Sequence, residues 1–310
     1  MTREHEILVG VDGSAASLHA LDWAVAEART RGLGLRVVVA YSLPSFTAAS
    51  LDGGYAALDD ETIRAGAQAV LDEALGRLRD PGVAVQGRVV TGDAAGALVE
   101  ESRDVELAVV GTRGRGGFAD RLLGTVSSAL PAHGWCPTVV VPLRGEDGHP
   151  LAEGASAPVR PVRRIVVGVD GSPPAERALR VAIHEAHVWG AELFAVSGVP
   201  LASMAGALAW LPSAVDHEQV LQDMAEGLDV VVDRALAEHP GVEVQRRVLD
   251  GTGAELLTEF SAATDLVVVG SRGRGGFAGL LLGSTSQAVL HHARCPVMVV
   301  TTRKDDTEPA

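Results

Sequence analysis

The chain has 310 residues, enough for two domains that each bury a core, and its 47% apolar and 21% charged residues are globular proportions. Twenty-six basic residues stand against 40 acidic ones, a net charge of −14, which is opposite to the balance that duplex nucleic acid asks of a partner. Twenty-five of the basic residues are arginines and Lys304 is the single lysine, so a Walker-type phosphate loop, a kinase strand lysine and a Schiff-base lysine are excluded. The charged N-terminus runs into an apolar strand over residues 6–11 and shows no signal-peptide pattern. Ser14 predicts the cap of a helix reaching about Arg31, with Leu18, Leu21, Val25 and Ala28 on one face. A strand over 35–40, a helix over 61–79, a strand over 83–90 and a short helix over 94–103 follow. Residues 107–110 are continuously apolar, as a parallel strand buried on both faces requires. A helix over 124–133 and a strand over 138–141 close the series.

Residues 145–162 are rich in Gly, Pro and Ala without apolar period and read as a linker. The series then starts again. Ser172 caps a helix with Pro173 at its first position, where a missing N–H costs nothing. Strands are predicted over 192–196, 242–249, 266–269 and 297–300, and helices over 218–238, 254–262 and 283–293. The βαβαβαβαβ order predicts an α/β fold with an open, doubly wound, parallel five-stranded sheet in each half. Residues 1–144 and 163–304 are the expected domains. The stretch 193–215 carries no charge and is long enough for a bilayer, but Pro200 and Pro212, two glycines and three serines interrupt it. A strand followed by an apolar loop fits it better than a membrane span.

Internal repetition carries the organisation. Gly-Val-Asp-Gly-Ser at 10–14 recurs at 168–172, and Gly-x-Arg-Gly-Arg-Gly-Gly-Phe-Ala at 111–119 recurs at 270–278. Cys-Pro at 136–137 recurs at 295–296, and residues 111–144 share 19 of 34 positions with 270–303. The chain is a duplicated domain.

In an open α/β sheet a ligand is expected beyond the carboxyl ends of the strands, where strand order reverses. The glycine-rich segments fall there. After the fourth strand comes Gly111-x-x-Gly114, nine residues, then Gly124-Thr125 opening a helix; the second half has Gly270-x-x-Gly273, nine residues, then Gly283-Ser284. A glycine at the strand end is expected to admit a ligand to the backbone, and the second glycine to allow a tight turn. The last glycine and the hydroxyl residue are expected to present free N–H groups at a helix N-terminus, where the dipole favours phosphate. Thr125, Val126 and Ser127, and Ser284, Thr285 and Ser286, add donors; Arg113, Arg115, Arg272 and Arg274 add charge. A bare strand–loop–helix connection explains one copy as well, but two copies with both spacings kept favour a phosphate-bearing ligand. An RNA-binding Arg-Gly-Gly element is disfavoured, because each copy is single and flanked by apolar elements. Asp12 and Asp170 end the first strands; holding the next turn and contacting ribose or a phosphate-bound Mg²⁺ are both open to them.

These motifs resemble the universal stress protein family in its two-domain form. The ATP-binding signature of that family, G-2x-G-9x-G-[ST], is matched in both halves, and the resemblance spans about residues 5–144 and 163–303. It implies a Rossmann-like fold of the adenine nucleotide alpha hydrolase type. It implies that Asp12 and Asp170 line a nucleotide site, that the backbone near Ala40 and Val196 receives adenine, and that phosphates lie on Gly114, Gly124 and Thr125 and on Gly273, Gly283 and Ser284. ATP, with Mg²⁺, is the implied ligand, one per half. The implied role is a nucleotide-dependent regulator or switch in stress response, growth arrest or dormancy, acting in the cytoplasm on a protein partner. A slow ATPase or phosphotransferase is the alternative, but no base to activate water and no lysine to follow the γ-phosphate stand out. The family also pairs its fifth strands across a two-fold axis, so 138–141 and 297–300 are expected to pair within one chain, with a homodimer possible in addition.

The copies differ. Pro131 stands inside a helix where the second half has Leu290, and is expected to kink that helix near Ser127. The loop after the second strand reads as longer and more apolar in the second half, where Met204, Leu208, Trp210 and Leu211 suggest a lid or a partner surface. Both features predict tighter binding at the second site. Trp23 and Trp189 read as packing residues, Cys136 and Cys295 as small buried ones, and His133, His291 and His292 show no metal-ligand pattern.

Overall fold

A computed structural model describes residues 5–42, 60–78, 80–112, 123–144, 159–201, 217–237, 239, 241–273 and 282–301. In the first half the elements are β1 (Glu6–Gly10), α1 (Ala15–Arg31), β2 (Gly34–Tyr41), α2 (Asp60–Arg77), β3 (Val85–Thr91), α3 (Ala94–Glu101), β4 (Leu107–Gly111) and α4 (Thr125–His133). Then come β5 (Thr138–Val141), β6 (Arg164–Gly168), α5 (Pro173–Trp189), β7 (Glu192–Val199), α6 (His217–Leu236), β8 (Val244–Asp250), α7 (Gly253–Phe260), β9 (Leu266–Gly270), α8 (Ser284–His292) and β10 (Val297–Val300).

The helix ends follow from local chemistry. Ser14 Oγ accepts the Ser17 N–H at 3.2 Å, and Ser172 Oγ accepts the Ala175 N–H at 3.3 Å, so each first helix has a side-chain cap. Gly32 and Gly190 close those helices at φ 68° and 62°, a left-handed conformation that glycine adopts without a Cβ penalty. Ile7, Leu8 and Val9, and Ile165, Val166 and Val167, are fully buried, as are most residues of β4 and β9. These apolar runs form the centre of each sheet because helices cover both of its faces.

In the first half the parallel order is β3-β2-β1-β4. In the second it is β8-β7-β6-β9-β10. Chain order reverses between β1 and β4 and between β6 and β9, which sets the crevice of a doubly wound fold at those strand ends. The doubly wound α/β architecture is therefore present in both halves. β5 runs antiparallel to β10, with Val140 opposite Val297 and Thr138 opposite Val299, so the expected pairing within one chain is formed. The changeover between two compact units falls at Cys136 and Pro137, which groups β5 with the second unit.

Two local expectations are corrected, and Pro131 leaves the length of its helix unchanged. α4 keeps nine residues despite Pro131, the same length as α8, and Gly124 and Gly283 enter them with similar extended backbones, φ −83° and −73°. Pro131 is buried and fills the place of Leu290 without shortening the helix. The connections 42–59 and 200–216 match in length to within one residue, so the second is not the longer. β7 runs three residues further than expected, to Val199, and covers the start of the uncharged stretch; Met204, Leu208, Trp210 and Leu211 lie outside the described residues. No described helix is long and apolar enough to cross a membrane.

Candidate functional site

Each first strand ends in a turn built by an aspartate. Asp12 Oδ1 accepts the Ser14 N–H at 3.0 Å, and Asp170 Oδ1 accepts the Ser172 N–H at 2.9 Å. Gly13 and Gly171 take φ 78° and 72° between them, which an L side chain resists. One oxygen of each aspartate thus holds the turn that starts α1 or α5. The turn-holding role read from the sequence is present, and the remaining oxygen of Asp170 faces the glycine loop: a Cβ on Gly273 would fall on Asp170 Oδ2. Gly273 is glycine because Asp170 occupies its side-chain space.

The first glycine of each signature also answers to packing. A Cβ on Gly111 would stand 2.6 Å from the carbonyl oxygen of Ala16, and one on Gly270 would stand 2.9 Å from that of Pro174. These glycines let the first turn of α1 or α5 press on the strand end. Gly270 meets this helix contact and also lines the second-half cleft.

The last glycine and its serine are pinned rather than free. The Gly124 N–H donates to the Thr112 carbonyl at 2.9 Å, and Ser127 Oγ donates to the same carbonyl at 2.8 Å. In the second half the Gly283 N–H and Ser286 Oγ both donate to the Ser271 carbonyl, at 2.7 and 3.1 Å. Ser127 and Ser286 are 2% exposed. The N–H groups of Gly124 and Gly283 and the hydroxyls of Ser127 and Ser286 therefore fasten the helix start to the strand end. The donors left for a ligand are the first-turn N–H groups of Thr125, Val126 and Ser127, and of Ser284, Thr285 and Ser286, which have no intrahelical acceptor. They sit at the positive end of the helix dipole.

In the second half these groups converge. A cleft of about 380 Å³ is lined by Asp170, Val196, Gly270, Arg272, Gly273 and the residues from Gly283 to Ser286. That volume is in the range of small-molecule sites, which is roughly 300–1,000 Å³. All of the predicted second-half residues that the structure describes meet there. So do Gly198, Gly253 and Leu257, which the sequence reading missed. The cue was present in Gly251-x-Gly253 after β8, but its counterpart at position 94 is alanine, so a search for repeated glycines passes it over. Arg113, Gly114, Arg115 and Arg274 lie outside the described residues.

The two positions expected to receive adenine are not equivalent. Val196 pairs with Gly168 as Val38 pairs with Gly10, and their carbonyls accept the Val169 and Val11 N–H groups, both at 2.9 Å. Ala40 corresponds instead to Gly198, two residues further along the strand. Val196 and Gly198 both line the cleft, from the same face of β7.

Outside the cleft, Trp23 is buried as a packing residue should be. Cys136 and Cys295 are buried free thiols, and burial pushes Cys295 up to about 12. Burial, followed by the neighbouring His292, holds His291 below its ordinary value. Among the described residues no three His, Cys, Asp or Glu side chains form a metal-sized group.

The family model of the universal stress protein family matches residues 4–142 and 161–301. Universal stress protein Rv2005c of Mycobacterium tuberculosis is 37% identical over 305 residues, covering 96% of this chain and 97% of its own. Universal stress protein Rv2623 of the same organism is 35% identical over 307 residues, covering 94% and 95%. A crystal structure of a universal stress protein from Archaeoglobus fulgidus superposes with a TM-score of 0.67 at 21% identity, over 98% of both chains, and so shares the fold. With both halves matched and relatives similar along their whole length, the chain belongs to the universal stress protein family as a tandem of two of its domains.

Proposed function

We infer that each half binds ATP, and that occupancy regulates a protein partner during stress response, growth arrest or dormancy. The observation that carries this reading is the second-half cleft, where a helix N-terminus, Arg272 and the glycine signature converge on one small-molecule-sized space. First-turn N–H groups and a guanidinium suit phosphate oxygens, and Val196 and Gly198 of β7 line the same cleft, where the base would lie. These residues fit a nucleoside triphosphate. Mg²⁺ would arrive with the nucleotide on its phosphate oxygens, with Asp170 the nearby carboxylate. The first half repeats the signature and its helix start, so it takes the same ligand. The buried free thiols suit a reducing cytoplasm, where ATP is supplied. The β5–β10 ladder joins strands of the two repeats, so a homodimer would need another surface.

The test is to purify the protein, denature it and identify the released nucleotide by chromatography with mass detection. About two ATP per chain is the expected result. ADP in its place would favour turnover. No nucleotide, with none taken up on adding Mg-ATP, would reduce the glycine loops to structural connections.

A further inference from the structure

Two glycines of the second-half cleft have no glycine counterpart in the first half. Gly198 lies on β7 and Gly253 opens α7, and their counterparts are Ala40 and Ala94. Neither belongs to the phosphate signature, and the two are glycine for different reasons. A Cβ on Gly198 would stand 2.7 Å from the Gly251 carbonyl oxygen and 2.9 Å from the Gly253 nitrogen. Its absence lets β7 press against the turn that starts α7. Gly251 helps from the other side with φ 135°, and the Gly251 N–H donates to the Val199 carbonyl at 3.1 Å. The backbone of Gly253 is held close to β7 as a result.

Gly253 itself faces the cleft. A Cβ there would meet only the Thr285 methyl, at 3.7 Å, among the described atoms within 4 Å. Thr285 is the second residue of α8 and lines the same cleft. A methyl at 253 would therefore be accommodated by the protein and would take its space from the ligand, between the β7 backbone and the α8 N-terminus.

We propose that Gly253, with Gly198 behind it, is the specificity-determining element that makes the second half the tighter and roomier nucleotide site. This rests on the nucleotide reading above. It also moves the expected asymmetry off Pro131 and loop length, which the structure does not support, and onto two missing methyl groups. The ligand portion that spans from β7 to the first turn of α8 is the part the element gauges. The first site, with Ala94 at the matching place, holds the same nucleotide less tightly.

The substitution Gly253→Ala separates this role from a structural one. Alanine is favoured over glycine within a helix, so the variant is expected to be as stable as the parent or slightly more so. Nucleotide is stripped from the full-length parent and the variant, and Mg-ATP binding is followed by calorimetric titration, with thermal unfolding of the empty proteins in parallel. The parent is expected to show two classes of site. Gly253→Ala is expected to weaken the tighter class roughly tenfold, the cost of one misplaced methyl group in a fitted pocket, and to leave the weaker class unchanged. Ala94→Gly is expected to strengthen the weaker class. Unchanged affinity in Gly253→Ala, while the parent still binds two nucleotides, overturns the inference and leaves the nucleotide reading standing. Weakened binding that tracks a lowered unfolding temperature also overturns it. A parent that binds no nucleotide overturns both.

Discussion

Arg36 in the first half and Phe194 in the second occupy the same place on the second strand of their sheets, paired with Leu8 and Val166. Arg36 is 5% exposed; it donates to Glu6 at 2.6 Å and to Glu101 at 3.3 Å, and Arg88 reaches the same Glu101 at 2.9 Å. The second half has Phe194 for Arg36 and Phe260 for Glu101, each ending or lining the matching element. One strand further out, Gly87 leaves room for Leu71 and Leu75, whereas its counterpart Arg246 bonds Asp229 and Asp233 at 2.9 and 2.5 Å. Charged and aromatic residues trade places between the halves, while the strand order and the glycine signature do not. The margins of the sheet ask only that volume be filled and charges be paired. The strand ends ask for particular residues, because several backbones meet there.

The largest expected effect comes from breaking the ionic version. Arg36→Ala leaves the largely buried Glu6 without its cation and Glu101 with Arg88 alone, and should cost the first half about 3 kcal/mol. Joint replacement by Glu6→Arg, Arg36→Phe and Glu101→Phe gives these positions the residues of the second half and should recover most of the loss. Denaturant midpoints, with amide exchange of β2 to assign the half, measure both; a triple variant as weak as the single one would mean the margins are not interchangeable.

A smaller gain is expected from Thr138→Val. Thr138 is fully buried and its Oγ1 has no hydrogen-bond partner among the described residues, while Val297 opens the matching strand β10. Removing an unsatisfied hydroxyl at nearly constant volume should stabilise by about 1 kcal/mol, readable as a rise of a few degrees in Tm. A lower Tm would show that this hydroxyl is satisfied in solution.

The smallest effect is a pH dependence carried by one half. Burial holds His19 below its ordinary 6.5, with Asp22 pulling the other way. The position corresponds to Arg177 in the second half. A His with a depressed folded value contributes stability above the unfolded value and loses it as pH falls below 6.5. His19→Gln should therefore flatten the loss of first-half stability between about pH 7 and pH 5. An unchanged slope in urea titrations across that range would assign the acid sensitivity elsewhere.

Much of this was legible in the residues. Serine caps, αL glycines and apolar strand runs act over a few neighbours, so their effect is written locally. The repeat placed the signature and Asp170 at one crevice, because a doubly wound sheet sends those strand ends to the same side. The reasons behind single residues were less legible. A glycine looks the same whether a ligand, a carboxylate or a helix carbonyl takes the space of its Cβ, and only the fold distinguishes Gly273 from Gly270. The hydroxyls of Ser127 and Ser286 looked like phosphate donors until the Thr112 and Ser271 carbonyls were placed beside them. Ala40 and Val196 fell out of register because the end of a strand is set by its neighbours and not by its own composition.

The ladder between β5 and β10 has a consequence in time. A chain leaving the ribosome completes residue 141 and must then extend to 297 before the antiparallel partner exists. At roughly 5–20 residues per second, that edge of Thr138–Val141 waits about 8–30 s with its backbone groups exposed to whatever strand comes by. Crowded translation of this chain therefore carries a window in which two nascent copies can exchange that strand, and it closes only when the last strand is made.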